Sequence, residues 1–218
     1  RDLVGEPRLQ HGAAGVEPAA ARDARGIRWL ADQDDRVQAV DLGDWNLPAW
    51  TLAAADFDAD GAMDLAVGGD GGAAVARGKG DGTFVPAQRL QGLGYSASLA
   101  VADLDGDGIL DIAAPTFLGG MSQLDGVLVW RGAGDGTFEA QPLLHGGNRP
   151  QSVVAVDLSG DGVVDLAIGN FGSGSISVFL GEGDGSYQGQ RAFAAGDRPD
   201  PIASGDFDPK ELDPTPAE

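Results

Sequence analysis

Aspartates at alternate positions of three short segments are the residues of this chain with the clearest chemical potential. The segments follow the pattern D-x-[DS]-x-D-G-x-x-D and cover residues 56–64, 103–111 and 157–165. Alternate side chains of a tight loop can direct several oxygens at one centre, and Ca²⁺ takes six to eight oxygen ligands. Glycine stands at the sixth place of each segment, where the chain must turn sharply. The pattern therefore predicts three calcium sites.

The predicted ligands are the side chains at the first, third, fifth and ninth places and the backbone carbonyl at the seventh. They are Asp56, Asp58, Asp60, Ala62 and Asp64 in the first segment, Asp103, Asp105, Asp107, Ile109 and Asp111 in the second, and Asp157, Ser159, Asp161, Val163 and Asp165 in the third. Without a cation, so many carboxylates in one loop would repel one another, which argues against plain solvated turns. Because Ser159 is neutral, the third site is predicted to be the weakest.

A second motif, G-x-G-D-G-[TS]-[FY], alternates with the acidic segments and shows that the chain is repetitive. A residue two places before this motif lies 27 residues before the next acidic segment; the pairs are Ala76 and Asp103, Trp130 and Asp157, and Phe179 and Asp206. Trp29 lies the same distance before Asp56. Four units with a period near 50 residues are typical of propellers and solenoids.

Each unit reads as strand, acidic loop, strand, variable loop, strand, Asp-Gly hairpin and strand, because period-2 hydrophobic runs alternate with Gly and Asp turns. Four strands per unit predict an all-β fold, a β-propeller of about four four-stranded blades in a single domain over residues 1–218. We expect blades at about 49–90, 96–146 and 150–196, and a split blade built from 1–48 with 199–218. The alternative is an open fragment of a larger propeller, for example a seven-bladed one.

The split blade would place both ends of the chain side by side. Residues 2–5 resemble a second strand, and residues 201–206 resemble a first strand that would pair beside it. A fourth, split calcium site would draw on Asp2, Asp206 and Asp208, although Lys210 at the fifth place of that loop argues against it.

The loops at the other ends of the strands vary in sequence and are predicted to carry any binding surface, because variable loops on a rigid scaffold usually do. The loops between second and third strands are 68–73, 115–126 and 169–175. Aromatic and basic residues in or near these loops and the linkers between blades are Trp45, Trp50, Tyr95, Phe117, His145 and Arg149. Ordinary local packing is the alternative interpretation of these side chains, and Trp29 and Trp130, in third strands, are expected in the core.

Taken together, the acidic loop, the D-L-A-V-G strand that follows it and the G-D-G-T-F hairpin resemble the FG-GAP/VCBS repeats of integrin-α-type β-propellers over roughly residues 26–208. The resemblance implies radially arranged four-stranded blades with Ca²⁺ in the loop joining strands one and two. It also implies an extracellular, cell-surface or periplasmic protein used in adhesion, glycan binding or as an accessory module. The family does not define a single activity.

Composition excludes several other classes. The chain has 34 acidic and 14 basic residues and a net charge of −20, so it lacks the basic footprint of a nucleic-acid binder. It has no cysteine and only two histidines, and no apolar stretch long enough to span a membrane. Residues 94–98, GYSAS, fall one glycine short of a nucleophile elbow, and no catalytic residue is predicted. We expect a calcium-stabilised propeller that recognises a protein or glycan; a calcium-dependent polysaccharide lyase and a structural subunit of a larger assembly stay as alternatives.

Overall fold

All the regular secondary structure that can be described is β-strand. The computed structural model describes residues 21–22, 28–31, 37–40, 49–119, 125–199 and 201–205, and within these ranges the strands form four antiparallel sheets. None of these ranges contains a helix long and apolar enough to cross a membrane. The fifteen strands are β1 Ala21–Arg22, β2 Arg28–Ala31, β3 Val37–Val40, β4 Ala49–Ala55, β5 Asp64–Gly78, β6 Phe84–Tyr95, β7 Ala100–Ala102, β8 Asp111–Thr116, β9 Gly126–Gly132, β10 Phe138–Ala140, β11 Leu144–His145, β12 Pro150–Val156, β13 Asp165–Asn170, β14 Ser175–Phe179 and β15 Arg191–Ala194.

Consecutive strands pair in consecutive order, as the repeat pattern predicts. The sheet orders are β1-β2-β3, β4-β5-β6, β7-β8-β9-β10 with β11 also paired to β9, and β12-β13-β14-β15. Each acidic segment connects the first two strands of its sheet: Ala55 pairs with Asp64, Ala102 with Asp111 and Val156 with Asp165. The repeats therefore build a propeller-like stack of antiparallel sheets. No sheet closes on itself within the described residues.

β5 contains a chain reversal that the sequence pattern assigns to a loop at 68–73. A straight strand of this length would separate its ends by roughly 45 Å at about 3.3 Å per residue. Instead, the Gly78 N–H donates to Asp64 Oδ1 at 2.7 Å, so the two ends meet. The reversal falls at Gly71 and Gly72, whose φ values of 84° and 122° suit glycine in a tight turn. The predicted variable loop is thus a short turn, and the sheet keeps four strand segments.

The middle sheet is buried on both faces, which explains its continuous apolar strands. Successive side chains of a strand point to opposite faces, so Ile112 packs toward the β4–β6 sheet and its neighbour Ala113 toward the β12–β15 sheet. On β9, Trp130 packs toward the β4–β6 sheet and Val129 toward the β12–β15 sheet. The side chain of Trp130 is 1% exposed, so its predicted place in the core is confirmed.

Residues 201–205, expected as part of a first strand, form no strand in the structure. The split blade stays a prediction, because the segment expected to pair with residues 201–206 is not among the described residues. The segment still takes the position that precedes a first strand: Ile202 packs over Gly169 as Leu99 packs over Gly68. Residues 2–5 and 206–218, with the candidate ligands Asp2, Asp206 and Asp208, lie outside the described residues. β1 to β3 form a separate three-stranded sheet.

Candidate functional site

The first aspartate of each acidic segment organises the loop itself. Its two carboxylate oxygens accept hydrogen bonds from backbone N–H groups further along the loop. Asp103 accepts from Gly106 at 2.8 Å and from Gly108 at 2.9 Å, and Asp157 accepts from Gly160 at 2.6 Å and from Gly162 at 2.8 Å. Asp56 binds the N–H groups of the first loop in the same manner. The sixth-place glycines have φ of 85–86°, so the predicted sharp turn is present in all three loops.

The ninth aspartate is buried and joins the loop to the third strand. The carboxylate of Asp111 accepts hydrogen bonds from the N–H of Leu104, at 2.9 Å, and from the N–H of Gly132, at 2.8 Å. Asp64 and Asp165 make the equivalent pairs, and all three are at most 1% exposed. Burial raises the pKa of Asp111, while the two N–H donors act in the opposite direction.

Two of the three loops gather three carboxylates around one point. Each group offers one oxygen per aspartate, and the three oxygens lie within 4.8 Å of one another; the groups are Asp56, Asp58 and Asp64, and Asp103, Asp105 and Asp111. Asp105 Oδ2 is buried, and the Arg131 guanidinium is its ion-pair partner. Three carboxylate oxygens gathered at one point are the kind of ligand that a hard divalent cation prefers, so the residues present fit a metal ion.

The fifth-place aspartates do not belong to these two groups. Asp60 Oδ1 accepts from the N–H of Ala62 at 2.7 Å, and Asp107 Oδ1 accepts from the N–H of Ile109 at 2.8 Å. Their side chains fold back on their own loop. In the third loop Asp161 accepts from the N–H of Val163 at 2.8 Å.

The third loop has fewer carboxylates near its centre. With the neutral Ser159 at the third place, its residues do not form a three-carboxylate group among the described parts of the chain. Hydrogen bonds from the Gly162 and Gly160 N–H groups lower the pKa of Asp157, so this loop is held by its backbone.

Two arginines that the sequence reasoning missed enter the first two acidic loops. Arg77 Nε lies 2.8 Å from Asp58 Oδ2, and the Arg131 guanidinium contacts both Asp105 and Asp107. Each arginine directly follows a strand residue that lies 27 residues before the next acidic segment, Ala76 or Trp130. Side-chain alternation along that strand could therefore have indicated them. The equivalent residue of the third repeat is Leu180. An arginine guanidinium therefore offsets part of the negative charge in the first and second loops but not in the third.

The Asp-Gly hairpins lie at the same end of the sheets as the acidic loops. In each hairpin an aspartate accepts hydrogen bonds from the N–H and hydroxyl two residues later, at 2.9 and 2.5 Å for Asp135 and Thr137. Arg77 Nη2 donates to the carbonyl of Asp135 at 2.7 Å, so the hairpin of the middle sheet sits against the acidic loop of the sheet before it. Gly185 of the next hairpin lies against Asp105 in the same way.

Aromatic and arginine side chains line the opposite end of the sheets. The ring of Tyr95 stacks on Phe117 with centroids 6.3 Å apart, and the Arg149 guanidinium lies 5.0 Å from the Phe117 centroid. Trp50 is 58% exposed and its Nε1 donates to Asp70 at 3.0 Å. Three of the residues singled out from sequence, Tyr95, Phe117 and Arg149, therefore contact one another rather than pack separately. Trp45 lies outside the described residues.

These features, stacked antiparallel sheets with an Asp-rich turn between the first two strands and a Gly-Asp-Gly turn between the last two, define a repeat protein whose acidic loops could hold a metal ion. The chain belongs to the FG-GAP-like repeat family, whose model matches residues 56–114 and 117–168, about half of the sequence. The predicted family is thereby confirmed. No curated protein matches the chain.

A solved structure of a lectin from Agrocybe aegerita is similar to this chain. Its study describes the specific recognition of non-reducing terminal N-acetylglucosamine. The two share 25% sequence identity with a TM-score of 0.51, and the match covers 78% of this chain. The chain spans only 46% of the length of that lectin chain.

Proposed function

We propose that this chain is a calcium-stabilised recognition domain that binds a glycan through the end of its sheets opposite the acidic loops. The observation that carries the proposal is the division of the sheets into two ends with different chemistry. Carboxylates cluster at one end, whereas exposed aromatic and arginine side chains meet at the other. The likeness to a sugar-binding lectin supports a glycan, in preference to a protein, as the ligand.

Calcium would be held by the two three-aspartate groups, Asp56, Asp58 and Asp64 in the first loop and Asp103, Asp105 and Asp111 in the second. Further oxygens are available from the remaining predicted ligands of each loop. The ion would supply positive charge that offsets carboxylate repulsion and would tie the loop to the strands that follow. The third loop, with Ser159, would bind more weakly.

We place the protein outside the cell, at the cell surface or in a periplasm. Calcium sites in extracellular modules have Kd values of about 0.1–1 mM. The first and second acidic loops, whose negative charge is partly offset by Arg77 and Arg131, fit that low-affinity class. Such sites fill only where calcium is millimolar. The net charge of −20 disfavours anionic membranes and nucleic acids as partners.

Calcium should raise the stability of the fold because it binds the folded loops and scarcely binds the unfolded chain. At about 2 mM calcium and a Kd of about 0.1–1 mM, each site contributes roughly 0.6–1.8 kcal/mol. Thermal unfolding in EDTA and in 2 mM calcium, with magnesium as the ionic control, measures this. An identical Tm in all three solutions would refute the calcium part of the proposal.

A glycan array probed with the chain in calcium and in EDTA tests recognition. We expect binding to a restricted set of glycans in calcium and weaker binding in EDTA. If the array shows no glycan binding while calcium still raises the Tm, the recognition part is wrong and a structural or protein-binding role replaces it.

A further inference from the structure

The residues at the end of the sheets opposite the acidic loops follow the repeat. One set stands eight residues before the first aspartate of an acidic loop, and it consists of Tyr95, Arg149 and Arg198. The other set stands six residues after the ninth aspartate, and it consists of Asp70, Phe117 and Phe171. Backbone hydrogen bonds join the two sets, from Tyr95 N–H to the Phe117 carbonyl at 3.2 Å and from Phe171 N–H to the Arg149 carbonyl at 3.0 Å.

Two arginines converge on the ring of Phe171. The Arg149 guanidinium lies 5.1 Å from the ring centroid, and the Arg198 guanidinium lies 5.4 Å from it. Both distances fall within the roughly 6 Å range of a cation–π contact. Arg149 also reaches Phe117, so it bridges the middle sheet and the last sheet.

Both arginines have backbone conformations that residues with a Cβ rarely adopt. Their φ values are 52° for Arg149 and 58° for Arg198, and among the described non-glycine residues only Ala59 shares this region. A buried carboxylate holds one of them in place, because Asp125 Oδ2 accepts from the Arg149 N–H at 3.0 Å. Strain of this kind persists where the surroundings enforce it and is common at binding sites. The same strained position in two successive repeats aims both side chains at one ring.

An open pocket lies beside this ring. Its volume is about 570 Å³, within the range of roughly 300–1,000 Å³ that small-ligand sites occupy. Its walls combine Arg149, Arg198 and Phe171 with residues 172–174, Gly196 and Asp197. Within the part of the chain that the structure describes, neither guanidinium donates a hydrogen bond or forms an ion pair.

Guanidinium groups with unengaged N–H donors are suited to one ligand chemistry above others. The planar fork of an arginine matches a carboxylate or a sulfate oxygen pair. Two such forks and one acidic residue, Asp197, line the same pocket, so the lining has a net positive charge in a protein of net charge −20. Asp197 and the Ser173 hydroxyl add groups that can bond sugar hydroxyls, and Phe171 adds an apolar surface.

We propose that this pocket binds an acidic sugar, with its anionic group between Arg149 and Arg198 and its hydroxyls toward Asp197. The inference rests on the proposed glycan-binding function and adds the site and the charge of the ligand. A carboxylate and a sulfate ester share the chemistry that the arginines recognise, and the test below separates them.

The test compares three probes by isothermal titration in millimolar calcium: methyl β-glucuronide, glucose 6-sulfate and methyl β-glucoside. We expect one of the two anionic sugars to bind at least tenfold more tightly than the neutral one; which of them does identifies the anionic group. Equal affinity for neutral and anionic sugars would overturn the inference. So would equal competition by acetate or sulfate alone, since the pocket would then hold an anion without recognising sugar.

Arg198→Gln is the main variant because Arg198 lies at the edge of the described fold and its loss should leave the sheets intact. We expect it to weaken anionic-sugar binding at least tenfold at unchanged Tm, and Arg198→Lys to recover only part. Arg191→Gln removes the same charge from an exposed strand position outside the pocket and should bind normally. If Arg198→Gln binds glycans as tightly as the wild-type protein, the proposed pocket is wrong but the proposed function stands. If the glycan array shows no binding at all, the proposed function itself is wrong.

Discussion

Arg131 donates a hydrogen bond from Nη2 to Asp107 Oδ2 at 3.0 Å, and its Nε contacts Asp105 on the same side of the second acidic loop. The Ile109 N–H and this guanidinium lower the pKa of Asp107. The second loop, one of two with four aspartates, therefore carries its own counter-charge. Calcium entering the loop must compete with that arginine or share the carboxylates with it.

Replacing this arginine should make the second loop more dependent on calcium. Arg131→Leu copies the residue of the third repeat, Leu180, and leaves the carboxylates to repel one another. We expect a lower Tm in EDTA and a larger rise of Tm on adding calcium than in the wild-type protein. Arg191→Leu, on an exposed strand, is the matched control. A calcium response unchanged by Arg131→Leu would show that the guanidinium and the ion do not share ligands.

The structure ranks two aspartates that the sequence pattern treats alike. Asp105 belongs to the three-carboxylate group of the second loop and Asp107 does not. Asp105→Asn should therefore remove one calcium per molecule, whereas Asp107→Asn, with the same loss of charge, should weaken binding less. Calorimetric titration gives both stoichiometries, and Asp81→Asn in a hairpin should keep the full number. The opposite ranking would place the ion elsewhere in the loop.

The hairpin aspartates should make stability depend on pH in the acid range. The Thr137 hydroxyl, followed by the Thr137 N–H, lowers the pKa of Asp135. A lowered folded pKa contributes stability that is present above the ordinary value of about 3.9 and is lost as pH falls through the folded pKa. Thr137→Val should raise the pKa of Asp135 in a carboxyl NMR titration and reduce the Tm at pH 6, with no difference remaining near pH 2.

Thr116→Val is the control for that experiment. The buried Thr116 hydroxyl makes no hydrogen bond to any residue that the structure describes, so its replacement should alter stability equally at both pH values. A pH-independent effect of Thr137→Val would mean that the hydroxyl contributes packing and not carboxylate stabilisation.

Two tryptophans should differ sharply in their contribution to stability. Trp130 is buried between the β4–β6 and β7–β11 sheets, and its truncation to alanine should cost about 3–5 kcal/mol of unfolding free energy. Trp50 is 58% exposed, so Trp50→Ala should cost about 0.5 kcal/mol or less. Urea denaturation measures both values. Equal losses would contradict the assignment of Trp130 to a shared core.

The repeat spacing was sufficient to predict the order of strands and the position of each acidic loop, because both follow from local motifs. The spacing alone did not show that Arg131 enters the acidic loop; the alternation of side chains along β9 was the second signal needed to indicate its face. The sequence also did not predict that Arg149 and Phe171 form a site. Their contact depends on their fixed distances in sequence from the acidic loops and on a positive φ at the arginine, and backbone angles are not visible in sequence.

The contacts of Arg77 with the carbonyl of Asp135 and of Gly185 with Asp105 mean that the first and second acidic loops are each completed by the hairpin of the following sheet. The unfolding free energy of one sheet then depends in part on its contacts with the next, so the chain approximates a one-dimensional array with nearest-neighbour coupling. The coupling has a direction. Detaching β12–β15 by force would remove the hairpin that contacts the second loop, whereas detaching β4–β6 would leave that hairpin in place. Pulling from the carboxyl end should therefore destabilise the second loop before the first.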